Sequence, residues 1–227
     1  MREEFSIKTM KMLSIAAVLL LLCAFVAASE KSSEITADQA LQKLMDGNAR
    51  FVSGNAIHPD QSAERRAEVV SGQHPFAILV GCSDSRVPPE IVFDQGIGDI
   101  FVIRSAGEVM DNATLASIEY GAEHLGVPLV VVMGHDGCGA VKATVEEGEA
   151  PGHLASLVQA IQPAIDKARA EASEKEVLNS SIDINTENIV KQLENSEPIL
   201  STLVEEGNLT IVGARYHLDN GEVEILK

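Results

Sequence analysis

"VPLVVVMGH", Val127–His135, carries no polar side chain until its last residue. A strand with one wet face alternates apolar and polar positions, and this run does not. Unbroken apolar runs of this length suit strands buried on both faces, as in parallel sheets covered by helices. Three further stretches read the same way: "PFAILVGC" (75–82), "DIFVIRSAG" (99–107) and "LTIVGARY" (209–216). Between the second run and Val127 lies "NATLASIEYGAEHLG" (112–126), whose Leu115, Ile118, Ala122 and Leu125 are spaced 3, 4 and 3. That is helical spacing, and Gly126 closes it, so a strand–helix–strand unit is expected.

The remaining elements fall in around this unit. Thr36–Gln39, "TADQ", has the capping-box pattern and opens a helix with Leu41, Leu44, Met45, Phe51 and Val52 as its apolar stripe. Residues 153–206 read as mostly helical, with a break before Pro198. Asn220-Gly221 in "YHLDNGEVEIL" signals a hairpin, which turns the last strand antiparallel at the sheet edge. The expected fold is α/β: a mostly parallel β-sheet of four strands plus an antiparallel edge strand, flanked by helices.

The chain has 227 residues, enough for one domain with a sizeable core. Its 17 basic and 34 acidic side chains leave a net charge of −17. Such a surface repels nucleic acid and anionic lipid. At the N-terminus, Lys8 and Lys11 precede "MLSIAAVLLLLCAFVAA" (12–28), and "SEKSSE" then turns polar. Residues 1–28 are expected to be a signal peptide, or an N-terminal anchor if retained. Residues 29–35 form a linker and 36–227 a single domain. The mature protein is then exported: periplasmic, extracellular or on the outer face of the cell membrane, with membrane contact only if 1–28 remain. The segment carries three basic and two acidic side chains, so the remainder has 14 basic, 32 acidic and a net charge of −18. It keeps two cysteines, Cys82 and Cys138.

In open parallel sheets, ligands bind beyond the carboxyl ends of the strands. Cys82 ends the first run and His135 the third, and Cys138 follows in "GHDGCG" at H-x-x-C spacing. Two thiols and an imidazole on one edge suit zinc with an open fourth position, unless Asp84 is a fourth ligand. A Cys82–Cys138 disulfide is the competing use of two cysteines in an exported chain. It leaves His135 and the neighbouring charges unexplained. If 82–86 is extended, Cys82, Asp84 and Arg86 share a face, and Arg86 keeps Asp84 ionised and aimed. Pro88-Pro89 ends that strand.

"CSDSRV" (82–87) together with "GHDGCGAV" (134–141) resembles the β-class carbonic anhydrases, and the likeness extends from about Thr36 to Leu226. It implies zinc held by Cys82, His135 and Cys138, an Asp84–Arg86 dyad, and reversible hydration of carbon dioxide to bicarbonate and a proton. Gln73, Phe101 and Tyr120 match the family's CO2-pocket positions, which come partly from a partner subunit. Gly139 matches the glycine after the second cysteine. A homodimer or higher even oligomer is implied. The likeness is to open-site, plant-type members, and the chain has no tryptophan for a regulatory bicarbonate pocket. Ser105, Glu108 and His217 depart from the family's usual residues. Two alternatives remain: a carbon disulfide or carbonyl sulfide hydrolase on the same zinc site, and a non-catalytic zinc-binding or bicarbonate-sensing module. A thiol redox protein would want C-x-x-C, which is absent.

Overall fold

The computed structural model describes residues 35–146 and 150–226. The segment expected to be a signal or anchor, and all but the last residue of the linker, lie outside them. The elements run α1 (Ala37–Val52), α2 (Ala63–Glu68), β1 (Ala77–Cys82), α3 (Pro89–Val92), β2 (Ile100–Ser105), α4 (Asn112–Glu119), β3 (Leu129–His135), α5 (Gly139–Val145), α6 (Leu154–Glu171), α7 (Val177–Glu194), α8 (Leu200–Glu205), β4 (Thr210–Tyr216) and β5 (Val223–Ile225). The five strands form one sheet in the order β2-β1-β3-β4-β5. Its first three pairings are parallel, and β4 with β5 is antiparallel. The expected α/β architecture is therefore present.

β1 and β3 are buried at every position. Alternate residues feed the two faces. Ala77, Leu79, Leu129, Val131 and Met133 pack with Ala40 and Leu44 of α1 on one side. Ile78, Val80, Val130 and Val132 pack with Ile118 of α4 and Ile189 and Leu193 of α7 on the other. The reading of β2 as doubly buried needs correction. It lies at the sheet edge, paired with β1 alone, and its residues are half-exposed or exposed. Its apolar residues are only partly covered by this chain's core, Ile100 and Val102 on one face and Phe101 and Ile103 on the other.

Local signals act as their chemistry dictates. Thr36 Oγ1 accepts from the Gln39 amide at 3.3 Å, and Gln39 Oε1 accepts from the Thr36 amide at 3.0 Å, closing the capping box. α4 passes into a wider helical turn at Tyr120–His124, and Gly126 (φ 71°) ends it. At Gly134 a Cβ would stand 2.5 Å from Thr186 Oγ1, so glycine there lets α7 lie directly on β3 one residue before His135.

Candidate metal centre

The parallel register assembles the donors. Gly81 pairs with Met133, which sets Cys82 and His135 one rung apart at the ends of the two central strands. Cys138 caps the start of α5, three residues past His135. The Cys82 and Cys138 sulfurs are 3.9 Å apart, and all three donor atoms lie within 4.8 Å of one another. A tetrahedral zinc with Zn–S of ~2.3 Å holds two sulfurs about 3.8 Å apart, so the pair is spaced for the ion. The cysteines are free, and no disulfide joins them.

His135 is fully buried, and its Nδ1 lies 2.9 Å from the Asp136 carbonyl. A carbonyl only accepts, so Nδ1 carries the proton and Nε2 presents a bare lone pair. Nε2 has no hydrogen-bond partner among the described residues. A buried nitrogen without a partner is costly, and a cation between it and two thiols removes the cost. The donor set fits zinc.

The thiols are tuned by each other. Cys82 is held down to about 4, chiefly by a hydrogen bond from Cys138, with the Gly107 amide adding to it against burial. Cys138 is pushed up by the same neighbour and by burial. Without a cation the pair thus keeps one proton; a dication takes both as thiolates. The Gly107 amide reaches Cys82 Sγ at 3.4 Å from a tight turn in which Gly107 (φ 65°) and Glu108 (φ 55°) are both left-handed. Val141, Ile161, Ile165 and Ile182 surround the sulfurs and keep water from them.

Asp84 and Arg86 sit beside this cluster, but not on an extended strand. β1 ends at Cys82, and the chain turns, with the Val87 amide donating to the Asp84 carbonyl at 3.1 Å. The turn brings the side chains together better than alternation would. Arg86 Nε donates to Asp84 Oδ1 at 3.0 Å, Nη2 to Oδ2 at 2.7 Å, and its amide to Oδ1 at 2.9 Å. Arg86 holds the Asp84 carboxyl down to about 2, against partial burial. Oδ2 lies 3.8 Å from His135 Nε2.

The other sequence-derived residues are dispersed. Gly139 opens α5 and lines an apolar cavity of about 350 Å³ with Ala106, Ala140 and Ala143. Phe101 and Tyr120 pair at 6.2 Å between ring centroids. However, Phe101 pairs with Ile78, four residues down the strand from Cys82, about 13 Å at strand spacing. Tyr120 is 45% exposed and Gln73 is exposed. Within one chain these three do not reach the donor cluster.

Three contributors went unforeseen. Arg104 donates to the Cys82 carbonyl at 2.7 Å and to the Asp84 carbonyl at 2.5 Å, clamping the turn between them. Its signal was a charge interrupting an apolar run. The Gly107–Glu108 turn was visible only as a departure at Glu108. That carboxyl is buried, meets Asn185 and has Oε1 without a partner among the described residues; desolvation, then the Cys82 charge, pushes its pKa well up. Asp136 is the third.

Comparison with known proteins agrees with this geometry. The model of the carbonic anhydrase family matches residues 77–223. A carbonic anhydrase of Mycolicibacterium smegmatis is 46% identical over 196 residues, covering 82% of this chain and 91% of that one. Carbonic anhydrase 2 of Mycobacterium tuberculosis is 41% identical over 186 residues, 80% and 89% of the two chains. Among solved structures, the Coccomyxa β-carbonic anhydrase in complex with acetazolamide is similar with a TM-score of 0.67 at 26% identity, covering 82% of this chain and 86% of its own. One of two tetrameric β-carbonic anhydrases of Sordaria macrospora gives 0.66 at 25%, covering 82% and 96%. The chain belongs to the carbonic anhydrase family, in its β class. It is a carbonate dehydratase, and zinc is its metal.

Proposed function

We propose that the chain hydrates carbon dioxide reversibly at Cys82, His135 and Cys138, with these three holding zinc and Asp84 and Arg86 serving the reaction. The observation that carries this is the convergence of a bare, buried His135 Nε2 and two thiols beside an arginine-held carboxylate. Bound zinc supplies Lewis acidity that brings the pKa of a water to about 7. Arg86 keeps Asp84 ionised, so Oδ2 accepts a hydrogen bond from the reacting water and turns its lone pair toward the carbon. His135 keeps its own proton on Nδ1, against the Asp136 carbonyl, through the cycle. Gly139, without a side chain at the start of α5, leaves room for substrate beside Cys138.

Phe101, Tyr120 and Gln73 fit this function through a second copy. A half-exposed apolar edge strand, with exposed Tyr120 stacked near its Phe101, is what a partner subunit would cover. We therefore assign these residues to the partner's substrate pocket in a homodimer or higher even oligomer. Export, argued from Lys8, Lys11 and the apolar run to Ala28, belongs to the same reading. Neither a carbon disulfide hydrolase nor a non-catalytic sensor draws support from the relatives described above.

Stopped-flow hydration of dissolved carbon dioxide by the zinc-loaded chain tests the proposal. Rapid hydration that Asp84→Asn lowers by two orders of magnitude or more is expected, since placed proton-handling groups contribute about 10²–10⁴-fold. Hydration at the uncatalysed rate by a protein that holds its zinc would refute it.

A further inference from the structure

We propose that Arg215, together with His217, is a positioning residue for the metal-binding imidazole of His135, acting through Asp136. The inference rests on His135 being a zinc ligand. The ring of His135 is oriented by one hydrogen bond, from Nδ1 to the Asp136 carbonyl at 2.9 Å. Whatever holds that carbonyl holds the ring, and Asp136 is held on every side.

Its amide donates to the Tyr216 carbonyl at 3.0 Å, one step beyond the rung where His135 pairs with Tyr216. Its Oδ1 accepts from Arg215 Nε at 2.7 Å and lies 2.6 Å from Nη2. Its Oδ2 lies 3.2 Å from His217 Nδ1. Arg215 and His217 are two residues apart at the end of β4, so both can face the same carboxylate.

Arg215 is in turn fixed from α7. Its Nη1 donates to both Asp183 oxygens at 3.0 and 3.1 Å, and its Nη2 donates to Asn179 Oδ1 at 2.9 Å. The guanidinium is 9% exposed by residue, and its donors are shared among Asp136, Asp183 and Asn179. A surface ion pair contributes little and holds nothing in place. A planar fork spent on three fixed acceptors holds geometry, because moving one costs the others. His217 adds a second link, from its Nε2 to Glu224 Oε2 at 3.4 Å on β5. β4, β5 and α7 thereby converge on Asp136, the residue whose carbonyl orients the His135 ring. This network acts through the His135 ring. Its effect is to keep His135 Nε2 aimed at the thiols with the proton on the far nitrogen, as outer partners of metal-bound histidines do.

The test uses the zinc-loaded full chain and two readouts that a merely structural residue leaves alone. One is the zinc dissociation constant in competition with a chromophoric chelator. The other is solvent exchange of the His135 Nδ1 proton, read by NMR with ¹⁵N-histidine. Arg215→Met is expected to weaken zinc binding about 10–100-fold and to speed Nδ1–H exchange, with Arg215→Lys recovering part of both. His217→Ala, a substitution at a partly exposed site, should shift both in the same direction by less. It carries the test if Arg215→Met does not fold. Folded Arg215→Met, or His217→Ala alone, with wild-type zinc affinity and exchange overturns the positioning role. Wild-type zinc affinity in His135→Ala would instead overturn the ligand assignment beneath it.

Discussion

Replacing Gly107 by alanine should damage the protein through two separable effects, and the structure sizes each. Gly107 sits at φ 65°, and a left-handed backbone costs an alanine about 1–2 kcal/mol. Its new Cβ would stand 2.8 Å from Ile161 Cδ1 and 3.1 Å from the Ala140 Cβ. Ile161 is fully buried and can swing its terminal methyl only into its neighbours, while Ala140 has no rotamer to change. Overpacking of this kind costs about 1–3 kcal/mol. The sum is about 2–5 kcal/mol, or roughly 5–15 °C in melting temperature for a domain of this size. Gly126 isolates the first effect. It has φ 71° with nothing within 4 Å of its Cβ, so Gly126→Ala should lose only the backbone share, about 1–2 kcal/mol. Thermal melts of both variants at one fixed zinc concentration give the comparison. Because the Gly107 amide also donates to Cys82 Sγ, Gly107→Ala alone should weaken zinc retention. Melting of the two variants within about 2 °C of each other, with equal zinc affinity, would show the packing and hydrogen-bond reasoning to be wrong.

Arg86→Ala should lower carbon dioxide hydration strongly at neutral pH while the zinc stays bound, because Asp84 loses both guanidinium bonds yet no donor of the metal is touched; a variant of normal turnover would contradict the dyad. Asp84 has a folded pKa of about 2, below the ~3.9 of an unfolded aspartate. The pair's contribution is therefore complete above about pH 4 and is lost as pH falls through about 2. Urea midpoints of the unmodified protein should drop more steeply across that window than those of Asp84→Asn, and parallel curves would count against it. Sedimentation of the mature chain should find activity only in dimers or larger even species, and an active single-chain species would remove Phe101 and Tyr120 from the pocket. Mass spectrometry of the natively made protein should find a start near Ser29, or full-length chain in the membrane fraction; full-length chain in the cytosol speaks against export.

The central sheet was legible because burial writes itself into composition. β1 and β3 are covered on both faces, and their runs contain no polar break. β2 has the same composition but is a partly covered edge strand, and an apolar edge cannot be told from an apolar interior without knowing strand order. The three candidate zinc donors were legible because each ends a strand or follows one closely, so topology alone gathers them. The Asp84–Arg86 pair was foreseen through the wrong geometry. Alternation predicts a shared face, but a turn closed by the Asp84 carbonyl makes the contact. What stayed hidden depends on distant partners. Arg104 reaches Cys82 across 22 positions and Arg215 reaches Asp136 across 79, and local pattern carries no trace of either bond. The left-handed turn at Gly107–Glu108 showed only as a departure at Glu108, because glutamate is an unusual residue to find in that conformation.

Zinc K-edge X-ray absorption on the purified, zinc-loaded protein at neutral pH tests the donor set most directly. Cys82, Cys138 and His135 predict two sulfurs at about 2.3 Å, an imidazole nitrogen near 2.0 Å and one further light atom. A shell without sulfur, or with more than two sulfurs, would contradict the site on which the mechanism stands.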